Sequence, residues 1–291
     1  MRNYLLIARF FIEYIFVRFF FIIINLLPIN ISKKCVAFFF KLFGKFSKKN
    51  KIAIANCKYI FPLSERKKIN QIINLSWENL GNTFSELTRL NEVMNQDNNF
   101  QLIGMENINN IIQKKTQAIF FSIHHSNWEI CVPMLDKLGI EIGAIYRHIN
   151  NFFIDKFIYK KRTHALFSNK SFYTPKGRKS AKDIIEGIKN KKSIFLLIDQ
   201  KDTAGQDIKF FDKIVKTQIG FLKIARKYNI PIIPIENSRI NNKFILKFHK
   251  PIFNNNKKIN DEEIMLNIHQ IIEQWIKANP TQWLWQHNRF N

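Results

Sequence analysis

At 291 residues the chain is long enough to bury the core of one large α/β domain. Its 46 Lys and Arg against 22 Asp and Glu give a net charge of +24, which selects anionic partners: nucleic acid, anionic lipid headgroups or an acidic protein. Cys35, Cys57 and Cys131 form neither a C-x-x-C motif nor a paired framework, so a disulfide scaffold and a zinc site are excluded and reduced thiols facing a cytoplasm are expected.

Residues 4–27 are aliphatic and aromatic, interrupted only by Arg9, Glu13, Arg18 and Asn25. The stretch has the roughly 20 residues that a membrane span needs, although three charges are costly at a bilayer centre. It lacks the unbroken apolar region and small-residue cleavage site of a signal peptide. Residues 1–30 therefore read as a retained hydrophobic membrane helix, either a poor span or a helix lying in the interface. The other reading is a buried amphipathic helix. Lysines follow from Lys33 to Lys51, suited to an anionic cytoplasmic leaflet.

Residues 31–291 show no repeat and no long linker, and read as one domain. Trp77, Leu80, Phe84 and Leu87 place 51–92 in helix. Strands are then predicted at 118–123, 141–146, 194–199, 230–236 and 243–249. They alternate with helices at 127–138, 152–165, 179–189, 218–228 and 261–277. The fold class is α/β: a central mixed, mostly parallel sheet flanked by helices, with the chemistry at the carboxyl ends of strands.

Three of those ends carry polar side chains. His124 ends the first predicted strand, and Glu129 lies in the first turn of the helix that follows. A carboxylate there can hold one imidazole nitrogen as N–H and leave the other to take a proton from an alcohol. Ser126 and Glu129 also satisfy a Ser-x-x-Glu capping box, and either His124 or His125 can be the one facing the carboxylate. Tyr146 and Arg147 end the second strand, with Arg162 further on, and an arginine there can clamp phosphate or stabilise an oxyanion. Asp199 and Gln200 end the third. Trp283, Trp285, His287 and Arg289 alternate near the end of the sequence, the tryptophans as packing residues and His287 and Arg289 as scaffold or headgroup contacts.

This ordered set resembles the lipid A late acyltransferase family, the lauroyl and myristoyl transferases of lipopolysaccharide assembly. The matching elements are the hydrophobic first helix, His-x-x-Asn-Trp-Glu from His124 to Glu129, Tyr146-Arg147 with Arg162, Asp199-Gln200, Phe210-Phe211 and Gln-Trp-Leu-Trp-x-His-x-Arg from Gln282 to Arg289. The resemblance implies an acyltransferase at the cytoplasmic face of the inner membrane, moving a fatty acyl group from acyl carrier protein to a hydroxyl of a lipid A precursor. It implies His124 as general base, Glu129 as its orienting carboxylate, and Arg147 and Asp199 as further catalytic residues. Asn127, Tyr146, Arg162, Gln200, His287 and Arg289 are the implied substrate contacts. Neither metal nor cofactor is implied, since acyl carrier protein brings the acyl group as co-substrate, and membrane lipid is the remaining partner.

His125, Pro133, His148 and Asn288 depart from the family pattern without removing a catalytic group. With no G-x-S-x-G elbow and no Cys–His pairing, direct transfer is expected rather than an acyl-enzyme. A glycerophospholipid acyltransferase would carry Asp for Glu129 and a Glu-Gly-Thr-Arg motif, which is missing. Transfer to another glycolipid, such as a phosphatidylinositol mannoside, is separated only weakly. A non-catalytic nucleic-acid-binding protein would need a basic recognition motif, and none is found.

Overall fold

The computed structural model describes residues 2–252 and 260–290. Residues 1 and 291, at the outer ends of the two expected regions, lie outside it. Helices α1 (Arg2–Leu26), α2 (Ile29–Gly44), α3 (Lys48–Ile60), α4 (Arg66–Thr88) and α5 (Leu90–Met94) come first. There follow β1 (Phe100–Ile103), α6 (Asn109–Lys114), β2 (Ile119–Ser122), α7 (Cys131–Lys137), β3 (Ile142–Tyr146), α8 (Phe152–His164), β4 (Phe172–Pro175), α9 (Arg178–Lys189) and β5 (Ser193–Leu197). The hairpin β6 (Gln206–Phe210) and β7 (Lys213–Thr217) precedes α10 (Gly220–Tyr228), β8 (Ile232–Ile240), β9 (Lys243–Phe248) and α11 (Asp261–Ala278).

The main sheet has the order β1-β9-β8-β2-β5-β3-β4 and is parallel except where β8 meets β9. Strand β2 is buried at all four positions, and its side chains alternate between two cores. Ile119 and Phe121 join the core containing α3, α4, α9, α10 and α11, whereas Phe120 joins the one containing α5, α6, α7 and α8. That alternation is the period-2 geometry of a strand covered on both faces. The expected α/β class is thus the observed one.

The predicted helix over 51–92 is three helices. Phe61 leaves the helical region at φ −120° and ψ 65° as the cap of α3, because Pro62 follows it and disfavours helical backbone at the preceding residue. By contrast Pro133 does not break α7. It is the third helical residue, in the first turn, where its missing N–H has no intrahelical partner to lose.

The expected membrane helix is present as α1, but not as a span: no helix among the described residues is long and apolar enough to cross a membrane. Its polar residues are engaged locally instead. Arg9 pairs with Glu13 at 2.8 Å, Asn151 donates to the Phe10 carbonyl at 2.8 Å and to Glu13 at 3.1 Å, and Arg18 lies 5.1 Å over the Phe157 ring. Phe21 and Ile24 are buried against the domain. Leu5, Ile12, Phe16, Phe19 and Leu26 remain exposed, as do Phe38, Phe39 and Phe43 of α2.

Helices α2 and α4 cross at a glycine. A Cβ on Gly81 would stand 2.7 Å from the Ala37 Cα and 2.9 Å from the Val36 carbonyl oxygen, both backbone atoms that cannot rotate away. Helix propensity favours alanine over glycine by about 1 kcal/mol, whereas overpacking costs roughly 1–3 kcal/mol. Steric conflict with backbone falls at the upper end, so Gly81→Ala should lower the melting temperature by several degrees. A variant melting at or above the wild-type temperature would mean that the two helices do not approach as closely as this.

Candidate active site

Strands β2 and β5 are neighbours in register, with Ser122 opposite Leu197. Counting two residues further along both leads to His124 and Asp199. Their side chains meet there: His124 Nδ1 is 2.7 Å from Asp199 Oδ1, and the His124 backbone N–H donates to Oδ2 at 3.0 Å. The Trp283 indole N–H donates to the same Oδ2 at 2.8 Å. Burial alone would raise the Asp199 carboxyl. The His124 imidazole, together with the hydrogen bonds from His124 and Trp283, outweighs burial and holds it at about 2. An ionised carboxylate fixed on Nδ1 keeps the proton on that nitrogen and presents Nε2 with its lone pair. The Gln200 side-chain amide is 3.2 Å from Nε2, and the Trp128 ring stands edge-on at 5.1 Å.

The carboxylate that holds His124 is therefore Asp199, not Glu129. Glu129 is turned to Arg162, which donates from Nε and Nη2 to its two oxygens at 2.7 Å each. Burial opposes the charge on Glu129, but the Arg162 guanidinium beside it holds the carboxyl below its usual range. Among the described residues no hydrogen bond joins Glu129 to the His124 ring, whose Nδ1 is on Asp199. Arg162, expected as a substrate contact, is one half of a mostly buried ion pair.

Nor does the Ser126–Glu129 capping box form. Asn127 caps the turn, accepting from the Glu129 N–H at 3.0 Å, while Ser126 adopts a left-handed conformation at φ 52°. Its N–H donates to the Gln282 carbonyl at 2.9 Å, and its hydroxyl is buried without a partner. Asn127 is fully buried and donates to Glu86 at 2.9 Å, so it supports the site from behind and does not face a substrate. Glu86 also takes both arms of Arg239 at 2.6 Å and Lys33 at 3.0 Å. This cluster joins α2, α4, β8 and the turn after His124, and nothing in the sequence marks it.

His125 is not an alternative base. It is 1 % exposed, and its Nδ1 and Nε2 lie 2.7 Å and 2.9 Å from the carbonyls of Asn237 and Asn279. Both ring nitrogens face scaffold carbonyls, and the neutral ring donates to one of the two. Burial pushes its pKa down, against the pull of the two carbonyls.

Arg147 is exposed where β3 ends beside β5, and among the described residues it makes no hydrogen bond or ion pair. Its charge is felt at His287, whose pKa is lowered to about 4, chiefly by burial. His287 is half-buried beside the His124–Asp199 pair with an unpartnered Nδ1. Tyr146 is half-buried with its ring 5.5 Å from the Arg162 guanidinium, and burial raises its hydroxyl to about 12. Arg289 is 1 % exposed and donates to the Lys216 carbonyl at 2.7 Å and the Thr217 hydroxyl at 2.9 Å. It fastens the 283–289 segment to β7, which removes it from the candidate substrate contacts.

The tryptophans are interior residues, 2 % and 0 % exposed for Trp283 and Trp285. The hydrogen bond from Trp283 to Asp199 joins residues 84 apart and has no sequence signal. Among the described residues no group of three or more His, Cys, Asp or Glu side chains is arranged to hold a metal ion.

A family model described as bacterial lipid A biosynthesis acyltransferase matches residues 2–291. No curated protein shows significant sequence similarity to the chain. Among solved structures, the chain is similar to the 1-acyl-sn-glycerophosphate (LPA) acyltransferase PlsC from Thermotoga maritima. The identity is 16 % and the TM-score 0.39, over 84 % of this chain and 97 % of that one.

Proposed function

The chain belongs to the bacterial lipid A biosynthesis acyltransferase family, and on that premise we propose that it transfers a fatty acyl group from acyl carrier protein to a hydroxyl of a lipid A precursor. The observation that carries this reading is the His124–Asp199 pair at the carboxyl edge of the sheet. His124 Nε2 takes the proton of the acceptor hydroxyl, displacing the Gln200 amide, and the oxygen attacks the thioester carbonyl. The C–S bond then breaks, and the departing thiolate recovers the proton from the imidazolium. Arg147, exposed and unpaired, meets the acceptor phosphate or the oxyanion.

Direct transfer is supported by the state of the cysteines. Burial raises the thiols of Cys57 and Cys131 to about 12, which disfavours a thiolate at either, and Cys35 is exposed on α2, away from the His124–Asp199 pair. The net charge of +24 suits both an acidic carrier protein and a phosphorylated acceptor. The exposed apolar faces of α1 and α2 support the reading that the enzyme sits on a membrane with α1 lying in the interface, which we assign to the cytoplasmic face of the inner membrane.

The test is to incubate the full-length protein with acyl carrier protein thioester and a lipid A precursor and to weigh the product by mass spectrometry. A mass gain of one acyl chain as an ester, lost with Asp199→Ala, is the expected result. Transfer to lysophosphatidic acid but not to the lipid A precursor would overturn the acceptor assignment.

A further inference from the structure

We propose that the cavity between α1, the α4–α5 junction and α8 binds the phosphate of an anionic membrane lipid, at a site separate from the His124–Asp199 pair. The cavity measures about 290 Å³, close to the lower bound of roughly 300 Å³ for small-molecule sites. Arg18, Arg89, Lys160, Lys161 and His164 line it with Phe157, and no carboxylate does. Arg89 lies 3.9 Å from Glu92, and its guanidinium also donates to the Ile24 and Leu27 carbonyls and to the Asn25 side-chain oxygen at the end of α1. Arg18, Lys160 and Lys161 have no carboxylate partner among the described residues. Burial and the charge of Arg18 both disfavour the charged form of Lys161. Like charges gathered in a partly enclosed space without a counter-charge are relieved by an anion.

The geometry of α8 separates this site from the active site. Phe157, Lys160, Lys161 and His164 follow the i, i+3, i+4, i+7 spacing of one helical face. Asp155, Ile158 and Arg162 form another face, and Arg162 reaches Glu129 beside His124. The neighbours of Arg18 on α1 indicate a lipid rather than a soluble phosphate. Ile15, Phe19 and Ile22 are 50 %, 61 % and 53 % exposed, so an apolar track runs past the cationic cavity. A phosphate held by the cations with acyl chains along this track satisfies both surfaces. The proposal rests on the membrane seating advanced above, and specifies what holds the seated enzyme in place.

The experiment is sedimentation of the full-length protein with vesicles of phosphatidylcholine alone, and with an equimolar mixture of phosphatidylcholine and phosphatidylglycerol. Lys160→Gln/Lys161→Gln is compared with Lys182→Gln/Lys189→Gln on α9, which removes the same charge from exposed positions elsewhere. The wild type should bind the mixed vesicles preferentially. The α8 variant should lose about tenfold in affinity for them and the α9 variant less than about twofold, with both binding phosphatidylcholine alone as the wild type does. Equal losses in the two variants would show diffuse surface attraction and overturn the site. Inorganic phosphate, at constant ionic strength and without vesicles, could instead raise the melting temperature of the wild type but not of the α8 variant. With unchanged vesicle binding, that result would assign the cavity to a soluble phosphate and overturn the lipid. Failure of the wild type to bind either vesicle would remove the membrane seating itself, a result distinct from loss of selectivity alone.

Discussion

Replacement of His124 by alanine is expected to lower kcat by roughly 100- to 10,000-fold, the span over which general-base assistance operates. The unfolding midpoint should fall as well, because the imidazole is the partner of an Asp199 carboxylate only 2 % exposed, which keeps just the His124 backbone and Trp283 indole N–H donors once the ring is gone. Asp199→Asn should follow it in kcat with little change in KM. An amide at that position can accept from Nδ1–H only weakly, and it can equally donate to Nδ1 and select the unproductive tautomer. His125→Ala removes a side chain bound to two carbonyls and should act on stability instead of on the chemical step. Steady-state kinetics of the three variants, with thermal melts alongside, decide the matter. A Nε2 base held by Asp199 would be untenable if His124→Ala kept wild-type turnover.

Glu129→Gln is expected to fail in a different way. Breaking a buried ion pair by removing one charge leaves the other unpaired, at about 3–5 kcal/mol. The side chains of Glu129 and Arg162 are 7 % and 16 % exposed, so little of that loss is recovered by solvent. Denaturant unfolding should show it as a lower midpoint at unchanged slope. The double variant Glu129→Leu/Arg162→Met should recover much of the stability, since an apolar pair of similar size leaves no uncompensated charge. Folded Glu129→Gln enzyme should lose far less turnover than His124→Ala. Unchanged stability with a collapsed kcat would return Glu129 to the role of orienting carboxylate.

Why the sequence points to Glu129 and the fold to Asp199 is a matter of strand order. Glu129 is five residues from His124, and local spacing can be read directly. Asp199 is 75 residues away and becomes a neighbour only because β5 lies beside β2, an adjacency that no local pattern encodes. Strands buried on both faces were legible as apolar runs, as in β2 and β5. Strands β1 and β4 have only four residues each and lie at the sheet edges, with too little periodicity to register. The β6–β7 hairpin turns through Phe211 and Asp212, both at positive φ, where an Asn-Gly pair would have been the recognisable signal. For Arg289 the sequence left scaffold and headgroup contact open, and only its partners on β7 and α11 decide for the scaffold.

The segment 283–289 touches much of what surrounds the site. Leu284 N–H donates to the His124 carbonyl at 2.9 Å, Trp283 holds Asp199, Asn56 of α3 grips the carbonyls of Trp285 and His287, and Arg289 holds β7. Each of those partners leaves the ribosome before the segment does. The sheet can therefore be complete while the histidine and its carboxylate still lack their last fastening. A chain released before residue 283 would lack the Trp283 and Leu284 contacts that hold Asp199 and His124.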